Sequence, residues 1–129
     1  MIVVDTSALM AIVLDEPEAD RIAEAIQHAE RLAISAATVA EALIVARRRG
    51  LGDEMARLID GLGADIVPVA RLGAEDVADA YDRWGKGVHT AGLNFGDCFA
   101  YALARRLGGP LLYVGEDFAR TDVARVHAP

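Results

Sequence analysis

Apolar positions along this chain fall into two rhythms, short unbroken runs and longer stretches with helical spacing. Ile2, Val3 and Val4 form a β-branched run of the kind that buried strands use. Asp5 follows at once, then Thr6 and Ser7, both good helix N-caps, and then the apolar run Ala8 to Leu14. Asp15-Glu16-Pro17 breaks the pattern, and Pro17 is placed to open the next helix. Ala19, Ile22, Ala23 and Ile26 then recur at the i, i+3, i+4, i+7 spacing of one buried helical face. Leu32 to Ser35 reads as a second strand. The helical spacing returns at Val39, Ala42, Leu43 and Ala46, ending near Gly50, and again at Met55, Leu58, Ile59 and Leu62.

Ile66 to Val69 reads as a strand interrupted by Pro68, which marks an edge or a strand end. A fifth helix carries Val77, Ala80, Tyr81 and Trp84 on one side. A polar loop from Gly85 to Gly96 holds Lys86, His89, Thr90 and Asn94. The sixth helix runs from Asn94 or Phe95 to Leu107, where Gly108-Gly109-Pro110 stops it. Leu111 to Val114 is a clear strand and Val123 to Val126 a weaker one. Strands alternating with helices predict an α/β fold, a mostly parallel sheet covered on both faces.

Composition narrows the picture. A chain of 129 residues, 53% hydrophobic and without repeat or linker, is read as one domain over 1–129 with one packed core. No apolar run approaches the roughly 18 residues that span a bilayer, and Asp5 interrupts the first apolar stretch, so neither a membrane span nor a signal peptide is expected. The single cysteine, Cys98, fits a reducing, cytoplasmic compartment. A formal net charge of −7 argues against holding nucleic acid by bulk electrostatics. It leaves room for a nucleic-acid enzyme whose carboxylates hold cations where the phosphate docks.

The acids are placed suggestively for that chemistry. Asp5 follows the first strand, Glu41 lies early in the helix after the second, Asp97 opens the sixth helix, and Asp117 follows the strand at Leu111 to Val114. In a parallel sheet these positions fall near one edge, the edge where ligands bind in open α/β folds. Carboxylates brought together repel one another unless a cation is present, and hard divalent ions take such oxygen ligands. The matching reaction is metal-assisted attack of water on a phosphodiester. Taken singly, each acid also has an ordinary reading: Asp5 as an N-cap, Glu41 as a solvated helix residue, Asp97 as a partner of the helix dipole, Asp117 as a turn residue.

Several stretches together resemble the PIN-domain ribonucleases, and more narrowly the VapC toxins of bacterial toxin–antitoxin pairs. They are Val3-Val4-Asp5-Thr6-Ser7-Ala8-Leu9, the Glu41 helix, Ala91-Gly92-Leu93-Asn94-Phe95-Gly96-Asp97-Cys98, and Leu111 to Phe118 followed by Thr121-Asp122. The resemblance covers essentially the whole chain. It implies a three-layer α/β/α sandwich and an endoribonuclease dependent on Mg²⁺ or Mn²⁺. It also implies Asp5 and Asp97 as central metal ligands, Glu41 as a third acid, and Asp117 as the fourth, with Glu116 as its substitute. Thr6 or Ser7 would orient a carboxylate or a water. A homodimer, an RNA substrate and a cognate antitoxin are implied as partners, with DNA reached only through the antitoxin.

Other residues have competing roles. Arg47, Arg48 and Arg49 complement the dipole at the end of their helix; Arg47 and Arg48 are also candidates for RNA phosphates or for an antitoxin's acidic tail, and Lys86 and His89 in the loop are candidates for RNA. Trp84 and Tyr81 are expected in the core or a dimer contact. A haloacid-dehalogenase-type phosphatase would need a second Asp two residues after the first, where this chain has Ser7. A phospho-accepting receiver would need a lysine at the end of a late strand, and the only lysine is Lys86. The remaining alternative is a catalytically inactive PIN-like module that acts by binding a protein.

Overall fold

The computed structural model describes residues 1–126. Ten elements follow in order: β1 (Ile2–Val4), α1 (Thr6–Val13), α2 (Ala19–His28), β2 (Leu32–Ser35), α3 (Ala36–Arg48), α4 (Gly52–Gly61), β3 (Asp65–Val67), α5 (Arg71–Trp84), α6 (Phe95–Leu107) and β4 (Leu111–Leu112). A single 3₁₀ turn, Phe118–Arg120, follows them. The four strands form one sheet in the order β3-β2-β1-β4, and every pairing is parallel. β1 is therefore central, with Val3 opposite Ala33 on one side and Leu111 on the other.

Alternation along the strands sorts side chains to two faces. Val3, Ala33 and Leu111 pack with Val77 and Trp84 of α5 and with Cys98, Ala100 and Leu103 of α6. Val4, Ile34 and Leu112 pack on the other face with Leu9, Ile22, Ala42, Met55 and Ile59 from α1 to α4. The result is the three-layer α/β/α sandwich. Trp84 is buried, and its indole N–H donates to the Tyr101 hydroxyl at 2.9 Å. Tyr81 is exposed, because the buried stripe Val77, Ala80 and Trp84 turns it to the shoulder of α5. α6 ends where Gly108 adopts a left-handed φ of 68°, a conformation that glycine takes without strain.

Three stretches read as strands are shorter or different in the fold. β4 covers only Leu111 and Leu112 of the expected Leu111 to Val114. Its partner β1 turns into α1 at Asp5, so the Val114 N–H donates to the Ser7 hydroxyl at 3.0 Å instead of to a strand. β3 begins at Asp65 and stops at Val67, since Pro68 has no N–H to continue the ladder. Ile66 is exposed there, as befits an edge. Val123 to Val126 forms no strand. A lone bridge between Leu111 and Arg125 lays this segment along the outer edge of β4. Among the described residues no helix is long and apolar enough to cross a membrane.

Candidate active site

The β1–α1 junction holds Asp5 at the carboxyl end of the central strand, 3% exposed. Its two oxygens differ. Oδ2 caps α1, accepting from the Ser7 N–H at 3.0 Å and from the Ser7 hydroxyl at 2.7 Å. Oδ1 is buried with no hydrogen-bond partner. Asp5 thus caps α1 with one oxygen and keeps the other free. Burial pushes its pKa up to about 7; the two Ser7 bonds oppose this, while the charges of Asp97 and Glu41 add to it.

Asp97 is fixed by a capping box at the start of α6. The Asn94 side chain accepts from the Asp97 N–H at 2.8 Å, and Asp97 Oδ2 accepts from the Asn94 N–H at 3.0 Å. Burial again leads in raising its pKa to about 6, the Asn94 bond opposes, and the charges of Glu41 and Asp117 raise it further.

Glu41 reaches the same place from the second turn of α3. Thr6 donates its hydroxyl to Glu41 Oε1 at 2.5 Å, so the residue beside Asp5 holds the third acid. The other side of this carboxylate lies against Gly96. A Cβ on Gly96 would come within 2.6 Å of Glu41 Cδ and closer still to Oε2, so any other residue here requires the Glu41 carboxylate to move. Thr38, one turn before Glu41, is buried with an unpartnered hydroxyl.

Asp117 precedes the 3₁₀ turn and is exposed, with a loose contact of 3.9 Å to Arg120. Its charge is felt at Asp97, whereas Glu116 acts on Tyr113. Of the two candidates for fourth acid, Asp117 is the one that faces the cluster electrostatically. The candidate RNA contacts lie apart. Arg47 and Arg48 are exposed at the far end of α3, about 9 Å or more along the axis beyond Glu41. Lys86 sits in the loop, and His89 turns its edge to Trp84, with ring centroids 4.7 Å apart, and accepts from the Ala91 N–H. Among the described residues, no hydrogen bond or ion pair joins these four to the acids.

Sequence reasoning missed Gly96, Thr38 and the capping role of Asn94. The last had a signal, an Asn followed three residues later by an acid at a helix start. Gly96 had none, because its need arises from a residue 55 positions away.

No three His, Cys, Asp or Glu groups among the described residues converge into a ready-made metal cage. A hydrated hard ion does not need such a cage, since it takes one or two carboxylates and keeps several waters. The donors are all oxygen, Asp5 Oδ1 has no other partner, and the mutual repulsion of these acids is a cost that a divalent cation would remove. The residues present fit such an ion.

A parallel α/β sandwich with carboxylates gathered at one sheet edge places the chain in a definable class, and comparison with known proteins makes it specific. The PIN domain family profile matches residues 2–124. The ribonuclease VapC of Mycolicibacterium smegmatis is 46% identical over 130 aligned positions, covering 97% of this chain and 99% of that one. Among solved structures, the Mycobacterium tuberculosis toxin VapC20, described as cleaving the sarcin–ricin loop, superposes with a TM-score of 0.79 at 16% identity, covering 98% and 99% of the two chains. A toxin–antitoxin complex from Klebsiella pneumoniae gives 0.74 at 18% identity, covering 98% and 97%. The chain belongs to the PIN-domain family, among its VapC ribonucleases. Members of this family generally depend on a divalent metal.

Proposed function

We propose that this protein is the toxin of a type II toxin–antitoxin pair, an endoribonuclease that hydrolyses RNA phosphodiesters with Mg²⁺ or Mn²⁺. The observation that carries the reading is Asp5: a buried carboxylate with one oxygen unpartnered, in the field of Asp97 and Glu41. Asp5 and Asp97 would hold the metal, with Glu41 and Asp117 completing the acidic ring. When bound, the ion supplies positive charge to the phosphodiester and lowers the pKa of a water.

The chain's own residues do the positioning. Ser7 and Thr6 are consecutive, and each fixes a different acid: Ser7 holds Asp5 Oδ2, and Thr6 holds Glu41 Oε1. Fixing Oε1 leaves Glu41 Oε2 to accept a hydrogen bond from the attacking water. The Asn94 capping box sets the Asp97 rotamer before any ligand arrives, so little reorganisation accompanies binding.

As partners we propose RNA, a cognate antitoxin and a second copy of the chain, in the cytoplasm. Ile44 on α3, Leu72 and Tyr81 on α5, Phe95 on α6 and Val69 just before α5 are exposed apolar side chains, the kind of surface that contacts another protein. It supports a homodimer. With a net charge of −7, DNA would be reached through the antitoxin.

The test is cleavage of total cellular RNA by purified, antitoxin-free protein with Mg²⁺, with Mn²⁺ and with chelator, wild type beside Asp5→Asn. Discrete metal-dependent fragments that disappear in the variant are expected. Undiminished cleavage by Asp5→Asn would sink the site assignment, and absence of any cleavage or metal effect would favour an inert binding module.

A further inference from the structure

Holding RNA next to an acidic cluster, in an acidic chain, requires local positive charge, and the arginines named from sequence stand elsewhere. Seven arginines are engaged by carboxylates: Arg31, Arg57, Arg71, Arg83, Arg105, Arg106 and Arg120. Among the described residues five arginines have no acidic partner: Arg47, Arg48 and Arg49 at the far end of α3, and Arg21 and Arg125, which both converge on Tyr113, just past β4. The Arg21 guanidinium, in the first turn of α2, points its Nη2 at the Tyr113 carbonyl, 3.5 Å away. The Arg125 guanidinium lies over the Tyr113 ring, 4.9 Å from its centroid. Both charges are felt at the Tyr113 hydroxyl, where they outnumber the one opposing carboxylate, Glu116.

Tyr113 connects directly to the acid site. The peptide whose carbonyl faces Arg21 is the one whose N–H, on Val114, donates to the Ser7 hydroxyl, which in turn donates to Asp5 Oδ2. Arg21 and Asp5 thus sit at the two ends of one hydrogen-bonded path. Two hydrogen bonds and one peptide unit put the guanidinium on the order of 10 Å from Ser7. A phosphate neighbouring the one at the acids can reach it. Arg21 keeps its remaining N–H donors for that anion, since a single long contact to a carbonyl uses only one of five. Arg125 extends the same rim along the outer edge of β4, where the lone bridge to Leu111 holds its backbone.

Resting on the nuclease reading above, we propose that Arg21 and Arg125 form a phosphate-binding rim that carries the RNA strand away from the acids across the Tyr113–Val114 peptide. The substrate class this implies is a strand continuing past the cut on the β4 side, gripped through its backbone and not through its bases.

The experiment measures binding of a fluorescein-labelled single-stranded RNA by anisotropy, with Mg²⁺, in an Asp5→Asn background that leaves bound RNA uncut. Salt is varied from about 50 to 200 mM, the range over which counterion release is read. Arg21→Ala and Arg125→Ala should each lower the slope of log K against log salt by about 0.7, and the pair together by twice that. Arg21→Lys should keep the wild-type slope, which a packing role for the guanidinium would not predict. Arg57→Ala, on the outer face of α4, should change nothing. Unchanged slopes in both Ala variants and in the charge-reversed Arg21→Glu overturn the proposal. So does loss of affinity for a poly-glutamate peptide with RNA slopes intact, which would make these arginines a protein-binding surface. Cleavage by the otherwise wild-type protein is followed separately: its absence overturns the nuclease reading, while the slopes decide the rim.

Discussion

Gly96→Ala tests whether the acid site is built by contact between α3 and α6. On its own helix the change should stabilise, since alanine gains about 0.5–1 kcal/mol over glycine in a helical position. The structure predicts the opposite sign, because the new Cβ would lie within 2.6 Å of Glu41 Cδ and nearer to its Oε2. Glu41 must swing away, and its carboxylate then gives up the 2.5 Å bond from Thr6. A hydrogen bond to a charged group contributes about 1.5–3 kcal/mol. The net is a loss of about 1–2 kcal/mol in metal-free protein, read from urea unfolding with an unchanged m value. In a Glu41→Ala background the clash and the bond are both gone, and the same Gly96→Ala change should stabilise by about 0.5–1 kcal/mol. The sign change corresponds to a coupling of about 2–3 kcal/mol, well above the additivity error of such cycles. Gly96→Ala that is as stable as wild type with Glu41 present would refute the contact, and equal effects in the two backgrounds would refute its cause.

Asp5→Asn should raise the melting temperature of metal-free protein, because it removes a buried charge in the field of Asp97 and Glu41, and should abolish most of the stabilisation by added Mg²⁺; a variant that melts like wild type with and without the ion counts against the site. The pH dependence follows from the same burial. With Asp5 raised to about 7 and Asp97 to about 6 from 3.8 unfolded, the folded state binds more protons between these values. Their contribution is complete below about 4 and is lost as pH rises through about 7. Metal-free protein should therefore lose up to about 3 kcal/mol between pH 5 and 7.5, and saturating Mg²⁺ should flatten or reverse the trend; a metal-free curve rising toward neutral pH is the contrary result. Asn94→Ala should cost about 0.5–2 kcal/mol from the lost cap and lower metal affinity through a freed Asp97, visible in Mn²⁺ titration; a change in stability alone would limit Asn94 to capping. Tyr101→Phe removes the acceptor for the Trp84 N–H and the donor to Asp122, a loss of about 1–3 kcal/mol by unfolding with RNA cleavage unchanged.

What the sequence made legible was local. The β-branched run before Asp5, the helical spacing of Ala42 and Ala46, and the glycine stop at Gly108 each express backbone physics within a few residues, and each matches the fold. The position of all the acids on one sheet edge followed from the parallel topology. Illegible features depended on distant partners. β4 stops at Leu112 because β1 turns away, and nothing near Tyr113 announces this. Val123 to Val126 has strand composition but finds only a lone bridge. The approach of Glu41 to Gly96 likewise belongs to neither stretch alone. Asp5 read as either a cap or a ligand, and the two do not exclude each other, because one oxygen caps α1 and leaves the other unpartnered.

The central place of β1 also bears on timing. Its neighbour β4 lies over 100 residues downstream, and Asp97 and Asp117 flank that strand in the chain. At about 5–20 residues per second, a ribosome takes several seconds to carry synthesis from Asp5 to Leu112. Until then β1 lacks one edge, Ser7 lacks the Val114 N–H, and Asp117 has not been added to the other acids. In a nascent chain the candidate acid site is therefore incomplete. Its hydrolytic centre is assembled only after nearly the whole polypeptide has emerged.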